Sequence, residues 1–193
     1  MLKVGITGGI GGGKSTVSKI IEVFGYPVYS ADSRAKYLMN HDDILRQQIS
    51  ELFGSEIYKT GELDRKAMAS RVFTDPALLK QVESYVHPAV YRDFENWSRE
   101  QASDIVFKEA AILFESNGNL TVDRVICVTA PLETRIARVI HRDHLTREDV
   151  LNRMKNQWPD KKKIEMSDYV VYADDDHSVI RQVDEILKNL KKT

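Results

Sequence analysis

Cysteine, proline and long apolar runs are all scarce in this chain. Of 193 residues one is cysteine and five are proline, and no apolar run approaches the roughly 20 residues that a membrane-spanning helix needs. With a single thiol, Cys127, neither an internal disulfide nor a thiolate metal cage can be assembled. Its place in Val125-Ile126-Cys127-Val128 marks it as a small buried hydrophobe. The opening Met1 to Gly9 carries one lysine and a short apolar stretch cut by glycines, without the long apolar core and cleavage site of a secretory signal, so the expected compartment is the cytoplasm. An excess of one charge is missing too. Lys and Arg number 28 against 29 Asp and Glu, a net charge of −1, and a general nucleic-acid binder would need a broad positive surface. Neither a repeat nor a linker nor a low-complexity tract divides the chain, and its length suits one domain with room for a smaller lobe.

What is present alternates in period. Leu2 to Thr7 is a short β-branched run that ends in glycines. Behind them Val17, Ile20, Ile21 and Phe24 recur at helical spacing, so strand, glycine loop and helix follow one another. Gly25 closes that helix, and Pro27 to Ser30 reads as a second strand leading into a helix near Asp32. Further strand-length runs lie at Ile105 to Lys108, Arg124 to Thr129 and Tyr169 to Tyr172, and such alternation predicts a parallel sheet covered on both faces. Between the second and third runs stands a long helical stretch, about 33–102, interrupted at Gly54, Gly61, Asp75-Pro76 and His87-Pro88, with each proline expected to open a new helix. It is too long for a plain crossover and predicts a helical lobe at the sheet edge. A second helical excursion occupies about 131–166, with Thr146-Arg147-Glu148-Asp149 resembling a capping box, and an amphipathic helix closes the chain from Val179 to Leu190.

The residues Gly8-Gly9-Ile10-Gly11-Gly12-Gly13-Lys14-Ser15 fit G-x-x-x-x-G-K-[ST], and Thr16 follows. Glycines allow consecutive amides to turn inward around a phosphate. The helix N-terminus near Gly13 adds its positive dipole end, Lys14 reaches the β- and γ-phosphates, and Ser15 offers a hydroxyl to Mg²⁺. The pattern predicts nucleotide binding but not the reaction. No N-K-x-D or D-x-x-G element accompanies it, which speaks against a GTPase switch. Asp32, just past the second strand, stands where ligands sit in open parallel sheets and can orient an acceptor hydroxyl and take its proton; otherwise it caps the next helix. Glu109 ends the third strand, either assisting the metal or as a solvated charge. Arg135, Arg138 and Arg142 share roughly one helix face and suit phosphate oxygens, though solvated helix arginines are common. Lys161, Lys162 and Lys163 read as a solvated face. His41, His141, His144 and His177 show no metal-ligand spacing.

Taken together these elements resemble the dephospho-coenzyme A kinase family over nearly the whole chain. Gly5 to Val17 is similar to the family's opening, with Gly12 where many members have serine, and Tyr29-Ser30-Ala31-Asp32 resembles its D-A-D motif with the first aspartate replaced by Ser30. Phe53-Gly54, Gly61-Glu62-Leu63-Asp64-Arg65, Val72-Phe73 and His87-Pro88 follow the family's order in the insertion. Glu109 to Glu115 resembles D-x-P-L-L-F-E with Glu109 and Ala111 substituted, and Ser167 to Val171 resembles the late A-D-x-V-I element, followed by Ala173 and Asp175 where asparagine and glycine are usual. The resemblance implies a three-layer α/β P-loop kinase with a parallel five-stranded sheet: a core of 1–32, 103–130 and 167–193, a substrate lobe of about 33–102 and a lid of about 131–166. It further implies ATP and dephospho-coenzyme A as substrates, Mg²⁺ as cofactor and the ribose 3′-hydroxyl as acceptor, in the last step of coenzyme A synthesis. By the same resemblance Asp32, Lys14 and Arg138 are catalytic, and Gly11, Gly12, Gly13, Lys14, Ser15, Thr16 and Arg142 hold ATP. Arg65 and His87, with Asp32, contact the acceptor, and Ser15 holds the metal. Arg138, Arg142 and Gln157 match the lid segment, whereas Arg135 stands where many members have glutamine. A nucleoside or nucleotide kinase and a nucleotide-binding regulatory module remain as alternatives, separated by acceptor specificity and by turnover. No nucleic-acid or membrane partner is expected, and a monomer is compatible with the sequence.

Overall fold

The structure is a computed structural model and describes residues 1–192. Five strands lie where apolar runs of strand length were predicted: β1 (Leu2–Thr7), β2 (Val28–Ser30), β3 (Ile105–Glu109), β4 (Arg124–Thr129) and β5 (Tyr169–Tyr172). All pair in parallel, in the order β2-β3-β1-β4-β5. In the register Ile6 faces Glu109 on one side and Ile126 on the other, while Thr7 faces Cys127. The central strands are buried on both faces, which explains why they are continuous apolar runs without alternation. Val17 and Ile21 of α1 (Lys14–Val23) and Val183, Ile186, Leu187 and Leu190 of α9 (Val179–Leu190) join Val4, Ile6, Phe107, Ile126 and Val128 in one apolar cluster. Cys127 is part of this interior, and burial pushes its thiol up to about 11 with Asp160 adding to the effect.

The chain divides into two compact units, residues 1–30 with 101–193 and residues 31–100. The second is helical: α2 (Ala31–His41), α3 (Asp43–Phe53), α4 (Arg65–Thr74) and α5 (Pro76–Arg99). Asp42, Asp64 and Asp75 cap α3, α4 and α5 by accepting backbone N–H bonds, and Pro76 opens α5. Arg34 makes a two-pronged contact with Asp93, at 2.8 and 2.6 Å, that ties α2 to α5. The expected break at His87-Pro88 does not occur, since α5 runs through Pro88. An internal proline costs about 3 kcal/mol or more. Here Val82, Ala89, Val90, Phe94 and Ser98 form a buried stripe on both sides of it, and packing of that stripe outweighs the lost amide.

The first unit carries the rest of the helices. α6 (Leu132–Asp143) and α7 (Arg147–Lys155) pack through Ile136, Val139 and Val150. The capping box is present, with Thr146 and Asp149 exchanging side-chain to backbone bonds at the start of α7. A short helix, α8 (Asp160–Glu165), leads into β5. Within it the lysine run departs from expectation. Lys161 and Lys162 are exposed, but Lys163 is fully buried, donating to the Ala111 carbonyl at 2.9 Å and pairing with Glu115 at 2.8 Å. No helix among the described residues is long and apolar enough to cross a membrane.

Candidate active site

The loop between β1 and α1 is shaped by close backbone approaches that only glycine tolerates. Gly8 has φ +147 and a Cβ there would fall 2.0 Å from the Val128 carbonyl oxygen; Gly11 has φ +77 and its Cβ would fall 2.4 Å from the Arg135 carbonyl oxygen. Helix α1 begins directly after this turn, so the partial positive charge of its N-terminus lies at the loop. Lys14, the first residue of α1, is nearly buried and its ammonium donates to the carbonyls of Gly8 and Gly9 at 3.0 and 3.3 Å. It is thereby held along the loop rather than in solvent.

A cavity of about 260 Å³ opens beside this loop, lined by Gly11, Gly13, Lys14, Ser15, Thr16 and, from α6, Arg138, Val139 and Arg142. Every polar residue around it other than the two arginines comes from the glycine loop or the first turn of α1. The structure therefore brings together Lys14, Ser15, Thr16, Arg138 and Arg142 from opposite halves of the sequence. Gly12 is buried in the floor of the loop, where its amide donates to the Gly9 carbonyl at 3.0 Å. Arg138 is exposed on the cavity side and donates to the Ala173 carbonyl at 2.9 Å. Arg142 forks onto Asp143 at 2.7 and 3.0 Å, and that hydrogen-bonded carboxylate raises the guanidinium further above its usual value. The two arginines thus border the cavity with their planar groups already oriented.

Arg135 does not share the face of its two neighbours. It is buried, donates through Nε to the Ile10 carbonyl at 3.0 Å and pairs with Asp160, whose other bond is to the Thr129 hydroxyl at 2.8 Å. Gln157 accepts from the Ile10 N–H at 2.8 Å. Nothing local in the sequence announces the roles of Arg135, Asp160 and Thr129. Asp160 looks like any first-turn acid of a helix, and its partners lie 25 and 31 positions away.

The remaining site candidates occupy the helical unit or its border. Asp32 is an exposed first-turn residue of α2, two positions after Ser30, which ends β2 in register with Glu109 of β3. Its carboxylate makes no hydrogen bond or ion pair among the described residues, so it does not serve as a helix cap. Arg65 opens α4, exposed, behind the capping Asp64. His87 is half-buried in α5 and stacks near Tyr91 with ring centroids 6.3 Å apart. No group of three or more His, Cys, Asp or Glu among the described residues could hold a metal. The Ser15 hydroxyl, exposed on the cavity, is an oxygen donor of the kind Mg²⁺ accepts beside water and phosphate oxygens.

A sequence profile described as Dephospho-CoA kinase matches residues 2–178. A dephospho-CoA kinase of Porphyromonas gingivalis is 40% identical over 192 residues, covering 99% of this chain and 95% of the relative. One of Bacteroides fragilis is 36% identical over 187 residues, covering 96% and 91%. A crystal structure from Thermus thermophilus superposes with a TM-score of 0.85 at 34% identity, covering 99% of this chain and 96% of the other. Shikimate kinase from Acinetobacter baumannii, at 15% identity and a TM-score of 0.59 over 100% of this chain and 94% of its own, shares the fold alone. The profile spans most of the chain and these relatives match it along almost their entire length, so the chain belongs to the dephospho-CoA kinase family.

Proposed function

We propose that the chain carries out its family's reaction, transfer of the γ-phosphoryl group of ATP to dephospho-CoA, with the ribose 3′-hydroxyl as acceptor and with the following division of labour. The loop amides and Lys14 hold the β- and γ-phosphates. Ser15 contributes to holding Mg²⁺, which supplies neutralisation of phosphate charge. Arg138 and Arg142 line the same cavity as Lys14 and stabilise the charge that spreads over the transferring group. Asp32, a carboxylate free of other partners, orients the acceptor hydroxyl and takes its proton, while Arg65 and His87 contact the acceptor. Residues 31–100 serve as the acceptor lobe, and residues 131–166 as the lid that excludes water from the transferring phosphoryl group.

The observation that carries this reading is the convergence of Lys14, Ser15, Arg138 and Arg142 on one cavity. Coulombic and hydrogen-bonding groups arranged around a phosphate site are what phosphoryl transfer requires, since the protein has little covalent work to do. The test is ADP release with Mg-ATP, comparing dephospho-CoA with a panel of nucleosides and nucleoside monophosphates and confirming coenzyme A by mass. Turnover with dephospho-CoA that collapses when EDTA is added is expected. Asp32→Asn should lower kcat by about 10²–10⁴-fold while leaving ADP binding intact, the range for loss of a general base. Turnover only with another acceptor would refute the substrate assignment, and a fully active Asp32→Asn variant the role of that carboxylate.

A further inference from the structure

Ile10 is held on every side by residues from α6 to α8. Its N–H donates to Gln157, its carbonyl accepts from Arg135, and its side chain packs against the cluster of Ile136, Val139 and Val150. Arg135 is in turn paired with Asp160, and Asp160 accepts from Thr129 at the end of β4. A Cβ on Gly9 would fall 2.0 Å from an Arg135 guanidinium nitrogen and 2.6 Å from Asp160 Oδ1, so the pair lies directly against the outer wall of the loop. Arg135 is one turn from Arg138 on α6, pointing to the loop's exterior while Arg138 and Arg142 border its cavity.

We propose that Arg135 and Asp160 are positioning residues for phosphoryl transfer: the pair clamps the Ile10 peptide from outside, so that the curvature of the phosphate loop and the placement of Arg138 and Arg142 are set together. This rests on the reading of the cavity given above. The physical reason is rigidity. A glycine-rich loop has many accessible backbone conformations, and inward-pointing amides are useful only if one conformation is held before the nucleotide arrives. Arg135 is suited to the task because one planar group can bond the Ile10 carbonyl through Nε and the Asp160 carboxylate through its terminal nitrogen at once. Helix α6 therefore cannot turn about its axis without dragging Ile10, which couples the lid to the loop.

The experiment compares Arg135→Gln, Asp160→Asn and the double variant with the parent chain, reading melting temperature, ADP affinity by calorimetry, and kcat and KM for ATP. Each single change leaves a charge without its partner, the part-buried Asp160 or the buried Arg135, and is expected to lower the melting temperature. The double variant removes both charges and should recover most of that loss. Positioning predicts that it does not recover function: ADP affinity and kcat/KM stay down by about 10- to 100-fold, as small displacements of phosphate-holding groups do. If ADP affinity and turnover return together with the melting temperature, the pair is only structural and the proposal fails. Glu133→Gln, on α6 like Arg135, breaks an exposed ion pair with Arg147 of α7; it is the control and should change neither reading. If both single variants fail to fold, the double variant and Gln157→Leu decide, and parental ADP affinity in both overturns the clamp. ADP binding requires no acceptor, so a parent chain that binds ADP without phosphorylating dephospho-CoA refutes the acceptor assignment and leaves the clamp decided by affinity. A parent chain that binds no ADP removes the cavity reading and the clamp with it.

Discussion

Replacing Lys163 by methionine should cost this protein more stability than any other single lysine substitution outside the phosphate loop. The ammonium is fully buried and makes two bonds, to the Ala111 carbonyl at 2.9 Å and to Glu115 Oε1 at 2.8 Å. Glu115 is in a poor position to lose it. Its Oε1 accepts one further bond, from the Trp158 N–H at 2.9 Å, and its Oε2 is buried with no hydrogen-bond partner among the described residues. Methionine fills a similar volume without charge, so the cost falls almost entirely on an uncompensated carboxylate. Breaking a buried pair in this way costs about 3–5 kcal/mol. For a chain of this size each kcal/mol lowers the melting temperature by roughly 2–4 °C, which gives a drop of about 6–20 °C. The second substitution isolates the cause. Adding Glu115→Gln removes the stranded charge and keeps an oxygen for the Trp158 N–H, so Lys163→Met with Glu115→Gln should regain at least half of the loss. Melting is followed by the fluorescence of Trp158, which stacks on Phe114 beside the pair, in a Trp97→Phe background. A single variant that melts within about 2 °C of the parent would refute the reasoning, because the stranded carboxylate would then cost almost nothing.

Three further outcomes follow from the same geometry. Lys14→Ala removes the ammonium bonded to the Gly8 and Gly9 carbonyls and should reduce kcat/KM for ATP by about 10²–10³-fold, the range for loss of a preorganised charge-stabilising donor, with the melting temperature little changed; a steady-state ATP titration checks it. Gly11→Ala places a Cβ 2.4 Å from the Arg135 carbonyl oxygen in a left-handed backbone, for a combined cost of about 2–5 kcal/mol, and should abolish ADP binding by calorimetry before it abolishes the fold. Cys127, buried and pushed up to about 11, should resist iodoacetamide at pH 8 in the folded protein and react within minutes in urea, as read by intact mass; rapid modification without denaturant would contradict its place in the core.

Which features were legible in the sequence depends on how far apart the cooperating residues are. The phosphate loop, the helix start at Asp75-Pro76, the capping box at Thr146 and the five strands each rest on residues within a few positions of one another, and local pattern specifies them. The continuation of α5 through Pro88 depends on a buried stripe from Val82 to Ser98, so the local rule for proline gave way to tertiary packing. Arg138 and Arg142 were legible through spacing and resemblance. Arg135, in the same series, was not, because its use is decided by Ile10 and Asp160.

Lys162 and Lys163 show the limit most plainly. They are adjacent and identical, yet one is exposed over the Trp158 ring at 3.2 Å and the other is fully enclosed. Helix α8 has six residues, under two turns, too short for an apolar stripe to reveal which face is inward. The same short segment and the three residues before it supply Gln157 to Ile10, the Trp158 amide to Glu115, Asp160 to Arg135 and Lys163 to Ala111. Each of those contacts joins residues at least 25 positions apart. Phosphate-handling groups announce themselves because a phosphate can be cradled by a handful of consecutive residues. The groups that keep the cradle rigid are chosen by the fold, and any side chain of the right reach and charge will serve, so their identity is written in the packing of α6 and α8 against the loop rather than in a motif.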